Sequence, residues 1–379
     1  MAPGHCGLSL RAWVSCGCAL AREEAAVYSD AMPDLNMQLP IDPGPLPANP
    51  LVSVMTANYN FARFLPEAIE SVRAQTYANW EMIICDDGSA DDSREVMEHW
   101  AAVEPRVRCV FLAENSGHAA ALNTCFAASR GEIICLLDAD DTFFPRKIES
   151  VVRAAESAPN AGMLVHSLRV VRGRRPTALL APRPSRLSSG WLGPRLATNG
   201  WLPALPPCSG LSLRRLAADT VFPIPPSMLS AADCAVQIAG ASVTLAAAIP
   251  AVFGTIRVHG ANATSGRVGA ERLRRRGAMM RLAWQHAARV CDPELLRREP
   301  LWVKLPLAIG ERLSTGRAWG PSVRELRRAP GWSRKSALYR FYYSVAPRLP
   351  PEAFAWVDAI AKFRYRLYEL LPARGGGPG

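Results

Sequence analysis

The chain has 379 residues, 49% hydrophobic and 20% charged, a balance that suits a soluble globular protein with a sizeable core, as one large domain with an appendage or as two domains. A formal net charge of +11 favours an anionic partner, whether phosphorylated substrate, nucleic acid or acidic membrane surface, without choosing among them. No stretch of roughly twenty apolar residues runs free of charge, so no transmembrane helix is predicted. The ten cysteines read as small buried hydrophobes at Cys85, Cys109, Cys125 and Cys135. Only Cys16 and Cys18 lie close together, which points to a reducing compartment and no structural zinc.

Residues 1–49 read as a disordered or leader segment. Its centre, HCGLSLRAWVSCGCALA, is mildly apolar but broken by Arg11, and residues 33–50 are rich in Pro and Asp; a signal peptide is the alternative reading. From Leu51 the texture changes. LVSVMTA is a buried-strand pattern, followed by a helix over about 63–74. WEMIIC is a second strand ending at Asp86-Asp87-Gly88-Ser89. A helix with Val96, Trp100 and Val103 at helical spacing follows, its cap between Ser89 and Asp92. VRCVFL is a third strand, GHAAALNTCFAAS a helix and EIICLL a fourth strand. This alternation predicts a mostly parallel sheet covered on both faces, with ligands beyond the carboxyl ends of its strands. Both acidic clusters lie at such ends: Asp86 and Asp87 after the second strand, Asp138, Asp140 and Asp141 after the fourth.

A helix is expected to open near Pro145, and AGMLVHSLRVV is a fifth strand. Residues 173–207 read as a long loop, of the kind that serves function more often than scaffold. Order resumes at CSGLSLRRLAAD, MLSAADCAVQIAG reads as a helix capped by Ser230, and ASVTLAAAIPAVFGTIRVHG as two strand-like runs around Pro250. Beyond about residue 266 the chain reads as a helical, basic extension to residue 374, with a disordered tail at 375–379.

Clustered carboxylates repel one another. Spaced D-x-D at a strand end, they can share a hard divalent cation that prefers oxygen ligands and neutralises charge on a leaving diphosphate. The plainer alternative is that they cap the next helix. The context decides: VSVMTANYN, AIESVRAQTYANWEMIICDDGSADDS, ENSGHAAALN and GEIICLLDADD occur in this order, and residues 51–260 resemble a family 2 glycosyltransferase of the nucleotide-sugar-binding GT-A fold. The domain is expected to span 50–265.

The resemblance implies roles. Ala57 and Tyr59 would meet the nucleotide base, with Tyr59 stacking on it, and Asp87 would accept a base N–H. Asp138 would contact the nucleotide side and Asp140 the metal, Mn²⁺ or Mg²⁺. Asp141 would cap the next helix or hold the acceptor side. Asp233 would be the base that takes the acceptor proton, or a first-turn acid favoured by the helix dipole. In TIRVHGANATS, Arg257 would pair with phosphate, and His259 would ligate metal or touch the diphosphate. Two departures stand out. Ala232 replaces the common Glu before the base, and Leu122 replaces a basic residue before Asn123.

The implied reaction is inverting, metal-dependent transfer of one sugar from a UDP- or dTDP-linked donor, with GDP as the other option. The acceptor would be a glycan or lipid-linked glycan. Processive synthases usually carry Q-x-x-R-W and membrane spans, and neither pattern is present. No Walker motif or dinucleotide fingerprint occurs, and no nucleic-acid module is recognisable. The basic, aromatic AFAWVDAIAKFRYRLYELL would rest on the inner membrane face of a cytoplasmic enzyme or pack on the catalytic domain. The rival function is a catalytically inactive relative that binds nucleotide or a partner.

Overall fold

The structure, a computed structural model, describes residues 40–173, 175–198, 203–230, 232–259 and 270–291, together with 300 and 303. The readings of the first 39 residues, of AFAWVDAIAKFRYRLYELL and of the tail lie outside the described residues.

Four strands follow the expected order: β1 (Val52–Asn58), β2 (Trp80–Asp86), β3 (Val107–Phe111) and β4 (Ile133–Leu136). All pair in parallel, in the order β3-β2-β1-β4. Successive strand side chains point to opposite faces. Met55, Ile83, Cys85, Ile134 and Leu136 enter one core; Val52, Val54, Met82, Ile84, Ile133 and Cys135 enter the other. Apolar residues therefore fill most positions of β1, β2 and β4, as two-sided burial requires.

Helices α1 (Leu65–Arg73), α2 (Ser93–Val103) and α4 (Lys147–Ser157) cover the second face. Helix α1 shows the logic. Pro66 suits a first turn that lacks amide partners, and Leu65, Ala68, Ile69 and Val72 form one buried stripe. Leu65, Ile69 and Val72 each contribute about 1.5–3 kcal/mol when fully buried. Helix α3 (His118–Ala128) covers the first face.

The rest of the sheet is less regular. β5 (Ala161–Arg172) and β6 (Arg175–Ala181) form an antiparallel hairpin, so the expected loop after residue 173 opens with a strand. Its Pro and Arg content hid it; Pro176 is tolerated because β6 is an edge strand. After the short helix α5 (Gly193–Thr198), β7 (Leu211–Arg214) runs antiparallel to both β4 and β5. Helices α6 (Arg215–Val221) and α7 (Asp233–Val243) lead to β8 (Leu245–Val258). The two expected runs around Pro250 are one strand parallel to β5. Ile249 pairs with His166 and Val252 with Ser167, which leaves Pro250 and Ala251 as extra residues in a bulge.

Helix α8 (Ala270–Cys291) packs Met280, Ala283 and Trp284 into the α3 and α7 core. Residues 40–49, read as part of a leader, are docked. Ile41 N–H donates to Val243 O at 2.7 Å, and Arg214 Nη1 donates to Gly44 O at 2.8 Å. Among the described residues no helix is long and apolar enough to cross a membrane.

Candidate active site

The carboxyl ends of β1, β2 and β4 meet along one sheet edge. At the end of β2, Asp86 Oδ1 accepts hydrogen bonds from Asn58 Nδ2 (2.7 Å) and Ser89 Oγ (2.6 Å), and its Oδ2 accepts from Ser89 N–H (3.0 Å). Gly88 turns the chain at φ +71°; a Cβ there would lie 2.7 Å from Glu114 C, so this position requires glycine. Asp87 is buried and accepts the N–H groups of Ser116 (2.7 Å) and Gly117 (2.9 Å), fixing the loop that opens α3. Ala57 lies on β1 opposite Cys85, and Tyr59 beyond it is 44% exposed.

Past β4, Asp138, Asp140 and Asp141 each place one carboxylate oxygen within 4.8 Å of the others. Asp138 is half-buried; Asp140 and Asp141 are buried. Asp141 accepts Ser209 Oγ at 2.6 Å and the Arg257 backbone N–H at 2.8 Å. It stands well ahead of Lys147, where α4 begins, and so does not cap that helix. Ser209 Oγ also accepts Asp138 N–H at 3.1 Å, so one hydroxyl ties two acids together.

β8 brings the last two candidates. His259 Nε2 lies 2.8 Å from Asp140 Oδ2. Its ring stacks on Phe64 at 4.8 Å and meets Phe61 edge-on at 5.7 Å. Arg257, expected at a phosphate, is buried and holds protein oxygens. Its Nε donates to Asp140 O (2.9 Å), its Nη1 to Gly173 O (3.2 Å) and its Nη2 to the Glu67 carboxylate. The buried guanidinium is satisfied by seating the acid turn.

Asp233 opens α7, behind Ala232 as cap residue; Ser230, the expected cap, lies two residues earlier, with its Oγ 3.3 Å from Met279 Sδ. Burial raises the Asp233 pKa, opposed by neighbouring His118 and by backbone N–H groups including that of Cys208. His118 lies within electrostatic reach of both Asp233 and Asp87. Its Nδ1 accepts Ala232 N–H at 3.2 Å.

Burial, then the charges of Asp233 and Asp140, pushes Asp138 up to about 8, against a hydrogen bond to the Cys208 thiol. Burial and the same kind of repulsion raise Asp141 well above the carboxylate range. Carboxylates that resist their own charge, beside an imidazole nitrogen, fit a divalent cation such as Mn²⁺ or Mg²⁺.

The structure thus gathers Asp87, Asp138, Asp140, Asp233 and His259, with Arg257 behind the acid turn. Sequence reasoning missed Ser209, Cys208, Glu67 and Phe64. The turn-forming PPCSG was the only hint of the first two, and nothing local marks the others.

The family model described as glycosyl transferase family 2 matches residues 53–202. An uncharacterised glycosyltransferase of Nostoc sp. is 39% identical over 178 residues, 46% of this chain and 54% of that protein. Glycosyltransferase GlyG of Streptococcus pneumoniae is 34% identical over 106 residues, 28% of this chain and 35% of that protein. The chain therefore spans about half the length of these relatives or less. The crystal structure of S. aureus TarS 1–349 in complex with UDP-GlcNAc superposes with a TM-score of 0.51 at 14% identity, covering 83% of this chain and 91% of that chain. At that identity the likeness concerns the fold alone, which is the GT-A arrangement.

Proposed function

We propose, from the premise that residues 53–202 belong to glycosyl transferase family 2, that the chain transfers one sugar from a nucleoside-diphosphate donor to an acceptor hydroxyl with inversion. The observation that carries this reading is convergence: acids from the ends of β2 and β4 and from the start of α7 meet at one edge, with His259 on Asp140.

Tyr59 is assigned to stack on the base, and Asp87 to accept a base N–H while its loop bonds hold it still. Asp138, Asp140 and His259 would hold Mn²⁺ or Mg²⁺, which when bound supplies positive charge against the leaving diphosphate. Arg257 and Ser209 keep the acid turn in place. Asp233 takes the acceptor proton on its carboxylate as the new C–O bond forms, the old C–O bond breaks and the diphosphate leaves with the electron pair. Burial, which raises the Asp233 pKa, makes the protonated product of that step less costly.

A UDP-linked donor is the first to try, because the structural neighbour was solved with UDP-GlcNAc; dTDP- and GDP-linked sugars follow. A glycan or lipid-linked acceptor at the inner membrane face completes the reading. The decisive experiment incubates the full chain with a panel of nucleotide sugars and Mn²⁺ or Mg²⁺ and measures metal-dependent sugar release. Release that chelation abolishes supports the reading. Calorimetric binding of nucleotides with no turnover of any donor would instead favour the inactive relative, to which Ala232 before Asp233 lends support.

A further inference from the structure

Between Glu156 and Asp219 the chain carries no acidic residue and nine arginines. That bias surfaces on the β5–β6 hairpin, where Arg169, Arg172 and Arg175 are all exposed. None of the three is in an ion pair among the described residues. Arg172 and Arg175 stand directly opposite each other in the antiparallel register. Like charges in cross-strand pairs destabilise a hairpin, and an anionic partner would turn that cost into attraction. Apolar surface lies alongside: Val258, 41% exposed, pairs with Arg172 on the other side of β5.

Position adds to the case. β6 is the edge strand of the sheet, so the hairpin has a free outer side among the described residues. Its turn is tied to the candidate active site, because Gly173 O receives Arg257 Nη1 while Arg257 Nε holds Asp140 O. Basic side chains flanking an exposed valine at a sheet edge match the chemistry of a negatively charged bilayer surface, which rewards guanidinium groups and shallow apolar contact together. We infer that the β5–β6 hairpin is a docking surface for the anionic phospholipid headgroups of a membrane, and that it sets the mouth of the acid cluster at the bilayer. This docking does not depend on the activity proposed above. The competing account is that these arginines only guard an exposed strand edge against pairing with another chain.

Charge reversal separates the two, because Arg169→Glu, Arg172→Glu and Arg175→Glu together keep the edge charged and change its sign. The full chain is sedimented with vesicles of phosphatidylcholine alone or containing roughly one third phosphatidylglycerol. Wild type is expected to partition onto the anionic vesicles only, and less so as salt rises. An arginine near such a surface strengthens binding by about five-fold, so the triple variant should lose on the order of 100-fold or more. If that variant loses its cooperative melt, the triple Arg→Gln variant takes its place, with a loss on the order of 100-fold expected. Equal partitioning of wild type and variants overturns the inference. So does a wild type that binds soluble polyphosphate but no vesicle, which would point to a dissolved polyanion.

Discussion

The two halves of the sheet are built differently. β1 to β4 are short, parallel and in unbroken register, and their ends carry Asp87 and the Asp138–Asp141 cluster. β5 to β8 mix directions, shift register three times along the β5–β8 pair and are rich in arginine. The first half supplies the charge that would bind a metal and a nucleotide. The second half holds that charge in place, through Ser209, Arg257 and His259, and adds the acid of α7. Regular structure builds the acid clusters here; irregular structure reaches across to support them.

The sharpest way to break this division is to remove one acid from each half. Asp140→Asn should lower metal-dependent donor turnover by on the order of 10⁴-fold, since the cation would lose a main protein bond. Mn²⁺ affinity should fall with it, and full activity would end the metal assignment. Asp233→Asn should lower turnover by about 10³-fold and leave nucleotide affinity near wild type. Loss of nucleotide binding in that variant would mean that the halves do not divide the work as described.

Acid titration tests the halves as structures. His166 on β5 is fully buried, and burial, with Lys147 nearby, lowers its pKa to about 3 from 6.5. The unfolded chain takes up that proton first, so the stability is complete above 6.5 and is lost as pH falls toward 3, by at most about 1.4 kcal/mol per pH unit. In the first half, Glu104 is lowered to about 2 from 4.5, chiefly by its hydrogen bonds to Arg106. Its contribution is complete above 4.5 and is lost only as pH falls toward 2. Hydrogen exchange followed during acidification should therefore show β5 loosening before the end of α2. Simultaneous loss would show that one cooperative unit overrides the local chemistry.

The smallest expected effect tests the link between the halves. Glu67→Gln weakens the partner of Arg257 without touching any acid of the cluster. Mn²⁺ affinity measured by calorimetry should fall by about ten-fold, with little change in Tm. An unchanged affinity would make the Glu67 contact incidental.

Legibility in the sequence followed the same divide. Strands buried on both faces announce themselves as apolar runs, and acids at their ends are conspicuous because each cluster directly follows such a run; hence β1 to β4 and both acidic clusters could be read. β6 was hidden because an edge strand needs neither apolar alternation nor freedom from Pro. The roles of Ser209 and Glu67 could not be read because each depends on a partner far away in the chain: 68 residues for Ser209 with Asp141, 190 for Glu67 with Arg257. Arg257 was read for its position, but its bonds to Asp140 O, Gly173 O and Glu67 could not be, since a motif names a side chain and not the direction it faces. The family match itself ends at residue 202, short of Ser209, Asp233, Arg257 and His259.

The bond from Arg257 to Glu67 joins β8 to α1, the last strand and the first helix among the described residues. A chain stitched shut in this way cannot be trimmed from the far end like a ribbon. A fragment stopping between Asp141 and that arginine would retain every acid of the D-A-D-D turn and still lose the hand that steadies them. A minimal version of this protein therefore has to keep β8, and with it α8, whose Trp284 is buried in the core, however early the recognisable motifs end.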